Sequence, residues 1–390
     1  MTEKRVVLKP GREKALLKCH PWIFSGAVAS FPAFQNGETL PVHSSQGKFL
    51  AQAYFHKDNS ISGRVLTFSD EPIENVLLRK LRLALEFRQP LFDREKTNCY
   101  RLVNAEADGL PGLVIDLYDE IAVLQVNTQG MERLKPLLIT FLQQLLPLRG
   151  IYEKSHSSAR RHEALPDFVG PVFGECSKEV LVKENGLSFL IDLEGGQKTG
   201  FFLDQREMRQ LVFRMSQGRK VLNCFSYTAA FSLFALKGGA ACVTSVDASE
   251  SACRYAKENT LLNHIPLEKH EVICGDVFKY LHAMPTSYDF IILDPPAFAK
   301  TKQQVNDACR GYKEINRRAI EKAQPNSYLL TSSCSHFIDE KLFGQLLFQA
   351  ALEAKREVVI CSSHIQAVDH PVSLFHPEGS YLKSLFLHII

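Results

Sequence analysis

The 390-residue sequence predicts an α/β chain whose C-terminal half is a doubly wound parallel sheet, preceded by a small β-rich module and an α+β middle domain. Three observations carry that prediction. After Arg209, short apolar runs alternate regularly with helical segments: KVLNCF then AAFSLFALKGG, VTSVD then ESACRYAKENTLLN, HEVICGD then VFKYLHAM, YDFIILDPP then a helix, SYLLTSSCS then another. Such alternation is the mark of strands buried on both faces by crossover helices. Before Pro72 the text consists of short β-like runs (RVVLK, FLAQAYF, SGRVLTF) separated by turn residues in FQNGETL and HSSQGKF. Between these halves the pattern is mixed, and an amphipathic helix opens it.

The domains are expected at 1–72, 73–182 and 183–390. In IENVLLRKLRLALEFRQ, apolar Val76, Leu77, Leu81, Leu83, Leu85 and Phe87 recur among basic residues at roughly helical spacing. A strand at IAVLQVN, a helix from about Met131 to Leu145 and a strand pair near Glu179 to Leu193 complete the middle.

Composition excludes several classes. With 45% apolar and 23% charged residues the chain is ordinarily globular. No run approaches the roughly 18 apolar residues of a membrane span, and MTEKRVVLKPGREK is charged where a secretory signal needs an apolar stretch, so the cytoplasm is the expected compartment. The ten cysteines are scattered without a CxxC pair, which argues against zinc; most are expected to be buried thiols. A net charge of +3 is too small to announce nucleic-acid binding, so local clusters matter more. Residues 1–72 hold nine Lys or Arg against six Asp or Glu. The segment Lys154 to His162, KSHSSARRH, has no carboxylate and reads either as a solvated loop or as a grip on RNA.

In a doubly wound sheet, ligands bind beyond the carboxyl ends of the strands. The first apolar run ends in Asn223-Cys224-Phe225-Ser226-Tyr227-Thr228, the second in Asp247 with Ser249 just after it, the third in Asp276 and the fourth in Asp294-Pro295-Pro296. Asp247 falls near the interval at which such folds place an acid for ribose hydroxyls. The first loop has no glycine before Gly238, whereas a pyrophosphate needs a GxGxxG turn at a helix N-terminus. A dehydrogenase is thereby disfavoured. S-adenosylmethionine, which lacks phosphates, needs only contacts to its amino-acid end, carboxylates for its ribose and a polar group near its adenine. Asp247 and Asp276 suit the last two roles, although either could simply cap the following helix.

Asp294-Pro295-Pro296 is more specific, because two prolines stiffen the backbone where an acid would face a planar base. Cys334, in LLTSSCSHF, closes the next apolar run on the same sheet edge. Cytosine C5 accepts a methyl group only after a thiolate adds to C6, with an acid near N3 steadying the charge that develops. Cys334 is therefore the candidate nucleophile and Asp294 the N3 partner.

The strings HPWIFSGAV (20–28), RLVNAEADGLPGLVIDLY (101–118), GQKTGFFLDQRE (196–207), VLNCFSYTAAFSLFALKGGA (221–240), DPPAFAK (294–300), ACRGYKEINRRAI (308–320), SSCSHF (332–337) and DHPVSLFHPEGSYLK resemble the ribosomal RNA large subunit methyltransferase I family end to end. These are PUA-containing enzymes that make 5-methylcytosine in 23S ribosomal RNA. The resemblance implies an N-terminal PUA domain, an α/β linking domain and a Rossmann-like class I methyltransferase sheet. It also implies that GQKTGFFLDQRE wraps S-adenosylmethionine, with Asp204 and Arg206 near its amino-acid end and Lys198 and Arg206 able to pair with its carboxylate. Asn223, Phe225, Tyr227, Ser249 and Pro295 join Asp247, Asp276 and Asp294 as cofactor-binding candidates, large-subunit ribosomal RNA is the expected partner, and a homodimer is left open. Ala229 and Ala230 stand where the family often has glycines, and Ala297 where it often has a lysine. The readings set against this one are transfer to a guanine nitrogen on the same fold and a noncatalytic RNA-binding assembly factor.

Overall fold

Strands form where apolar residues alternate or run unbroken, and the computed structural model, which describes residues 4–390, places them in four sheets. The first contains β1 (Val6–Leu8), β2 (Trp22–Phe24), β3 (Val28–Ser30), β4 (Thr39–His43), β5 (Phe49–Phe55) and β6 (Ile61–Thr67), in the order β2-β6-β5-β4-β1-β3, with the short helix α1 (Lys14–Leu17) beside it. Its core is small: Val6, Leu8, Ile23, Leu40, Val42, Ala51, Phe55 and Val65 pack together.

The expected amphipathic helix is α2 (Ile73–Arg88), which buries Val76, Leu77, Leu81 and Leu85 and leaves Leu83 and Phe87 outward. Beyond it lie β7 (Cys99–Asn104), β8 (Leu113–Tyr118), β9 (Ile121–Val126), helix α3 (Gln129–Leu145), β10 (Gly150–Ser155), the short helix α4 (Ser158–His162) and β11 (Phe168–Gly174). They form a five-stranded sheet in the order β11-β10-β9-β8-β7. Thr128 starts α3 by accepting from Met131 N, which answers one of the orphan donors of a helix start.

The segment 154–162 corrects the reading of KSHSSARRH as one solvated or RNA-gripping loop. Lys154 and Ser155 complete β10, and Lys154 Nζ turns inward to the Gly196 carbonyl. Arg160 is 2% exposed; its Nη1 donates to Glu132 Oε2 at 2.9 Å and to Val126 O at 2.6 Å. His156, Arg161 and His162 remain exposed. The partners of Arg160 lie on α3 and β9 and that of Lys154 at Gly196, where no reading of the loop alone could find them.

A hairpin, β12 (Glu179–Glu184) with β13 (Leu187–Asp192), precedes the large sheet. That sheet and its helices comprise α5 (Arg206–Met215), β14 (Lys220–Cys224), α6 (Ala230–Lys237), β15 (Cys242–Asp247), α7 (Glu250–Leu262), β16 (His270–Cys274), α8 (Val277–Ala283), β17 (Phe290–Leu293), α9 (Val305–Lys322), β18 (Ser327–Ser333), α10 (Glu340–Ala354), β19 (Val358–His364) and β20 (Lys383–Ile389). The order is β16-β15-β14-β17-β18-β20-β19. Strand residues alternate between two cores: Leu222, Ile291 and Leu293 face α8, α9 and α10, while Val221, Phe290 and Ile292 face α5 and α6. The sheet is parallel from β16 to β18, as the alternation of runs and helices predicts, but β20 runs antiparallel between β18 and β19. Only the connection from 365 to 382 reverses the chain there, and its irregular sequence carries no periodicity to announce it.

Two compact units emerge. One is the chain up to Gly186 together with Ile191–Leu203 and Val368–Gly379; the other is Leu187–Leu190, Asp204–Ala367 and Ser380–Ile390. Within the second, Asn259 and Asn263 on and just after α7 stand in for a strand, because their side-chain carbonyls accept from Leu190 N and Ser188 N at 2.8 Å each. Within the first, the 196–203 segment is fastened to the middle sheet. Thr199 Oγ1 donates to Asp116 Oδ2 at 2.6 Å, Tyr118 Oη lies 2.8 Å from Thr199 Oγ1, and Phe201 N donates to Tyr118 Oη at 3.2 Å. Gly200 there has φ +133°, and a Cβ would meet Ile191 Cγ2 at 2.5 Å, so a side chain is excluded both by conformation and by space.

Candidate active site

The chain runs β14, β15, β16 toward one edge and then returns to β17 beside β14, so the order reverses at β14 and β17. A crevice opens at such a reversal, outside the carboxyl ends of the strands. The first-loop residues and Asp294 therefore fall on adjacent strand ends, since Cys224 pairs with Leu293 and Leu293 with Thr331.

The first loop adopts a backbone that L residues resist. Phe225, Tyr227 and Ala229 have φ of +59°, +48° and +65°, each in the left-handed region that glycine enters freely. Such strain persists where the surroundings over-determine it and gathers at ligand sites. Here Ser226 N donates to Val246 O at 3.1 Å and Tyr227 N to Asp247 Oδ2 at 2.8 Å, which ties the loop to the end of β15. Asp247 Oδ1 also accepts from Ser249 N at 2.9 Å.

The candidates at the next two strand ends have structural duties of their own. Ser249 caps α7 by accepting from Ala252 N at 3.2 Å, and Asp276 caps α8 by accepting from Lys279 N at 2.9 Å. Asp247 is not a cap, and its carboxylate instead couples the first loop to β15.

Asn223 is fully buried and begins a polar chain. Its Nδ2 donates to Ser232 Oγ at 2.8 Å; Ser232 and Ser245 hydroxyls are 2.6 Å apart; Ser245 Oγ lies 2.7 Å from His270 Nε2; and His270 Nδ1 lies 2.6 Å from Thr260 Oγ1. Thr260 Oγ1 donates its proton to Ala256 O at 2.7 Å, so it accepts from Nδ1. In the neutral ring His270 Nε2 then accepts from Ser245 Oγ. Burial pushes its pKa down to about 4.

Gln205, just before α5, is a site residue that sequence reasoning missed. Its Nε2 donates to Asp294 Oδ1 at 2.9 Å and lies 3.4 Å from Ser332 Oγ, so it fixes the carboxylate at the end of β17. Asp204 accepts from Tyr381 Oη at 2.5 Å and, through its main-chain carbonyl, from Ala367 N at 2.9 Å. The signal was present in GQKTGFFLDQRE and EGSYLK, but their meeting is visible only in three dimensions. Arg206 is buried on the first turn of α5. Lys198 belongs to the other compact unit, exposed, with φ +51° and its Nζ 4.5 Å from the Phe202 ring centroid.

Pro295 is buried, and its carbonyl oxygen is 3.9 Å from Cys334 Sγ. Ser335 next to that cysteine is held by Tyr312 Oη at 3.0 Å and by Ala299 N at 3.3 Å. Cys334 is half-buried. The expectation that most cysteines are buried does not hold: Cys99, Cys224 and Cys253 are, while Cys19, Cys274 and Cys361 are exposed and the others lie between. No group of His, Cys, Asp and Glu able to hold a metal occurs among the described residues.

Gln205 Oε1, Asn223 Oδ1, Ser226 Oγ, Thr228 Oγ1 and Thr331 Oγ1 are buried oxygens at this end of the sheet that have no hydrogen-bond partner among the described residues. Leaving such a group unpaired costs about 1–3 kcal/mol. Their concentration along the first loop fits a polar ligand without phosphates, whose ammonium and hydroxyls would satisfy them, and S-adenosylmethionine has that chemistry.

The fold and the glycine-free first loop define an S-adenosylmethionine-dependent methyltransferase. Residues 149–358 match the family model of that description, and residues 6–68 match a PUA-like domain. The ribosomal RNA large subunit methyltransferase I of Serratia proteamaculans is 42% identical over 393 residues, covering 99% of each chain. That of Cronobacter sakazakii is 42% identical over 395 residues, also covering 99% of each. The chain belongs to the ribosomal RNA large subunit methyltransferase I family. Among solved structures, a methyltransferase in complex with SAH superimposes with a TM-score of 0.84 at 25% identity over 100% of both chains. A SAM-dependent methyltransferase from Streptococcus mutans gives 0.83 at 24% identity, over 99% of this chain and 100% of that one.

Proposed function

We propose that the protein methylates C5 of a cytosine in large-subunit ribosomal RNA through a covalent adduct on Cys334. The observation that carries this reading is the approach of the Cys334 thiol to the Asp294-Pro295 loop, with Sγ 3.9 Å from Pro295 O and Asp294 held by Gln205. Bound S-adenosylmethionine would supply an electrophilic methyl group and would leave as S-adenosylhomocysteine, with the electron pair of the broken bond on its sulfur. The residues supply the rest. The Cys334 thiolate adds to C6 of the base, and the C5–C6 electron pair shifts to C5, which takes up the methyl group. The Asp294 carboxyl, oriented by Gln205 Nε2, donates its proton at N3 as negative charge develops there and takes it back when the adduct collapses. Loss of the C5 proton to solvent water then puts its electron pair into the C5–C6 double bond and expels the Cys334 thiolate.

Asn223, Phe225, Tyr227, Asp247, Ser249 and Asp276 would line the cofactor, with Asp204, Arg206 and Lys198 toward its amino-acid end. Residues 1–72 would hold the RNA, residues 73–182 would link, and residues 183–390 would carry the chemistry. The choice of large-subunit RNA follows the Serratia and Cronobacter relatives, both named as ribosomal RNA large subunit methyltransferases. No described helix is long and apolar enough to cross a membrane, and the reading places the protein in the cytoplasm with its substrate.

The test is methyl transfer from labelled S-adenosylmethionine to unmodified large-subunit RNA by the wild type and Cys334→Ala, with the modified base identified by mass spectrometry. The expected result is label in 5-methylcytosine and a loss on the order of 10³-fold or more in the variant. Label on a guanine, or an undiminished variant, would sink the thiolate mechanism.

A further inference from the structure

A nucleophilic cysteine at neutral pH needs help, because a free thiol titrates near 8.5 and only the thiolate attacks. The neighbour of Cys334 described so far acts against ionisation, because the Pro295 carbonyl, 3.9 Å from Sγ, can accept only from the protonated sulfur. A cation would offset it.

The antiparallel strand β20 supplies one. Lys383 opens that strand in register with Ser333, the residue before Cys334. Its Nζ donates at 2.8 Å to the carbonyl of Ser335, the residue after Cys334, and at 2.8 Å to the carbonyl of Tyr381. An ammonium has three donors, so two are spent holding the backbone around the cysteine and one is left for an anion. We propose that Lys383 is a positioning residue that fixes the Cys334 loop and stabilises the thiolate. The inference rests on the reading of Cys334 as nucleophile.

The electrostatics agree with the geometry. Burial lowers the pKa of Lys383, and negative charge on Cys334 and Asp339 opposes that effect. The titratable groups around the pair come from several elements: Asp294 after β17, Tyr312 on α9, Asp339 at the start of α10 and Tyr381 before β20. Burial raises the Tyr312 phenol, and charge on Cys334 raises it further, so Tyr312 stays neutral where the cysteine ionises. In the step itself the Cys334 thiol gives its proton to solvent, and the sulfur pair then forms the bond to C6.

The experiment follows iodoacetamide alkylation of the Cys334 peptide by mass spectrometry against pH, in the full-length wild type, Lys383→Met, Lys383→Gln and Lys383→Arg. S-adenosylmethionine affinity serves as the check on folding. Glutamine can still donate to the Ser335 carbonyl but carries no charge, so it separates charge from backbone support. The alkylation midpoint is expected to rise by about one pH unit or more in the Met and Gln variants and to return toward wild type in the Arg variant. Unchanged midpoints in Met and Gln variants that bind the cofactor normally would overturn the inference. Alkylation is read without methyl transfer, so the two readings fail separately. A shifted midpoint beside a fully active Cys334→Ala keeps the ion pairing and loses the nucleophile, whereas an unshifted midpoint beside an inactive Cys334→Ala loses only Lys383.

Discussion

Arg160 in the middle domain and Asn223 at the end of β14 are both buried polar side chains, yet their surroundings differ. Around Arg160 the charges meet partners: Glu132 and the Val126 and Pro166 carbonyls take its protons, and Lys135 Nζ reaches Glu153 Oε2 at 2.9 Å. Arg88 likewise binds both oxygens of Asp108, at 2.9 and 2.8 Å. Asn223 has one end tied to Ser232 while its Oδ1, together with Ser226 Oγ and Thr228 Oγ1, lacks a partner among the described residues. In the first region charges within the protein meet that cost, down to Glu153 Oε1, which has no hydrogen bond but lies 3.8 Å from Arg160 Nη1; in the second, on the cofactor reading proposed above, a ligand would meet it.

That contrast can be broken at its strong end first. Arg160→Met should destabilise the protein by about 3–5 kcal/mol in urea unfolding, because it leaves Lys135 as the one cation between Glu153 and Glu132 and unpairs the Val126 and Pro166 carbonyls. A change below about 1 kcal/mol would show that the buried ion network is incidental.

The second expectation concerns the chain that supports Asn223. His270 is held neutral with its pKa near 4, against an ordinary value of 6.5. The folded state thus binds fewer protons than the unfolded one below pH 6.5. The stability His270 contributes is present above about pH 6.5 and is lost as pH falls toward 4, by roughly 3 kcal/mol at most. In His270→Gln this part of the acid-side slope should flatten. An identical slope in the two proteins would mean that His270 is not the buried neutral group.

The smallest effect should fall on stability and the clearest on binding. Asn223→Ala should change unfolding free energy by no more than about 1 kcal/mol, yet weaken S-adenosylmethionine about tenfold by calorimetry. A stability loss as large as that of Arg160→Met, with unchanged affinity, would erase the distinction between the two regions.

Much of this site was legible in one dimension. Asp247, Asp276 and Asp294 end apolar runs, and a parallel sheet puts the ends of such runs on one edge, so spacing alone brought Cys334 and Asp294 together. The gaps have a common cause. Gln205 reaches Asp294, and Tyr381 reaches Asp204, across stretches of chain that share no periodicity. Arg160 looked solvated because its charge is written in the loop and its partners are written elsewhere. Phe225, Tyr227 and Ala229 hide their left-handed backbone behind side chains that seldom adopt it.

The insertion of β20 between β18 and β19 bears on how the molecule assembles. Strands β14 to β18 can pair with their neighbours as they emerge, but β19 finds no partner in the sheet until β20 has arrived between it and β18. Until then β18 presents a bare edge, open to pairing with another molecule. Closing it requires the 365–382 connection to come round first, which is slow in the way that contacts between distant segments are slow. The large sheet should therefore form in two stages, and the nascent enzyme would be most prone to aggregate in the interval between them.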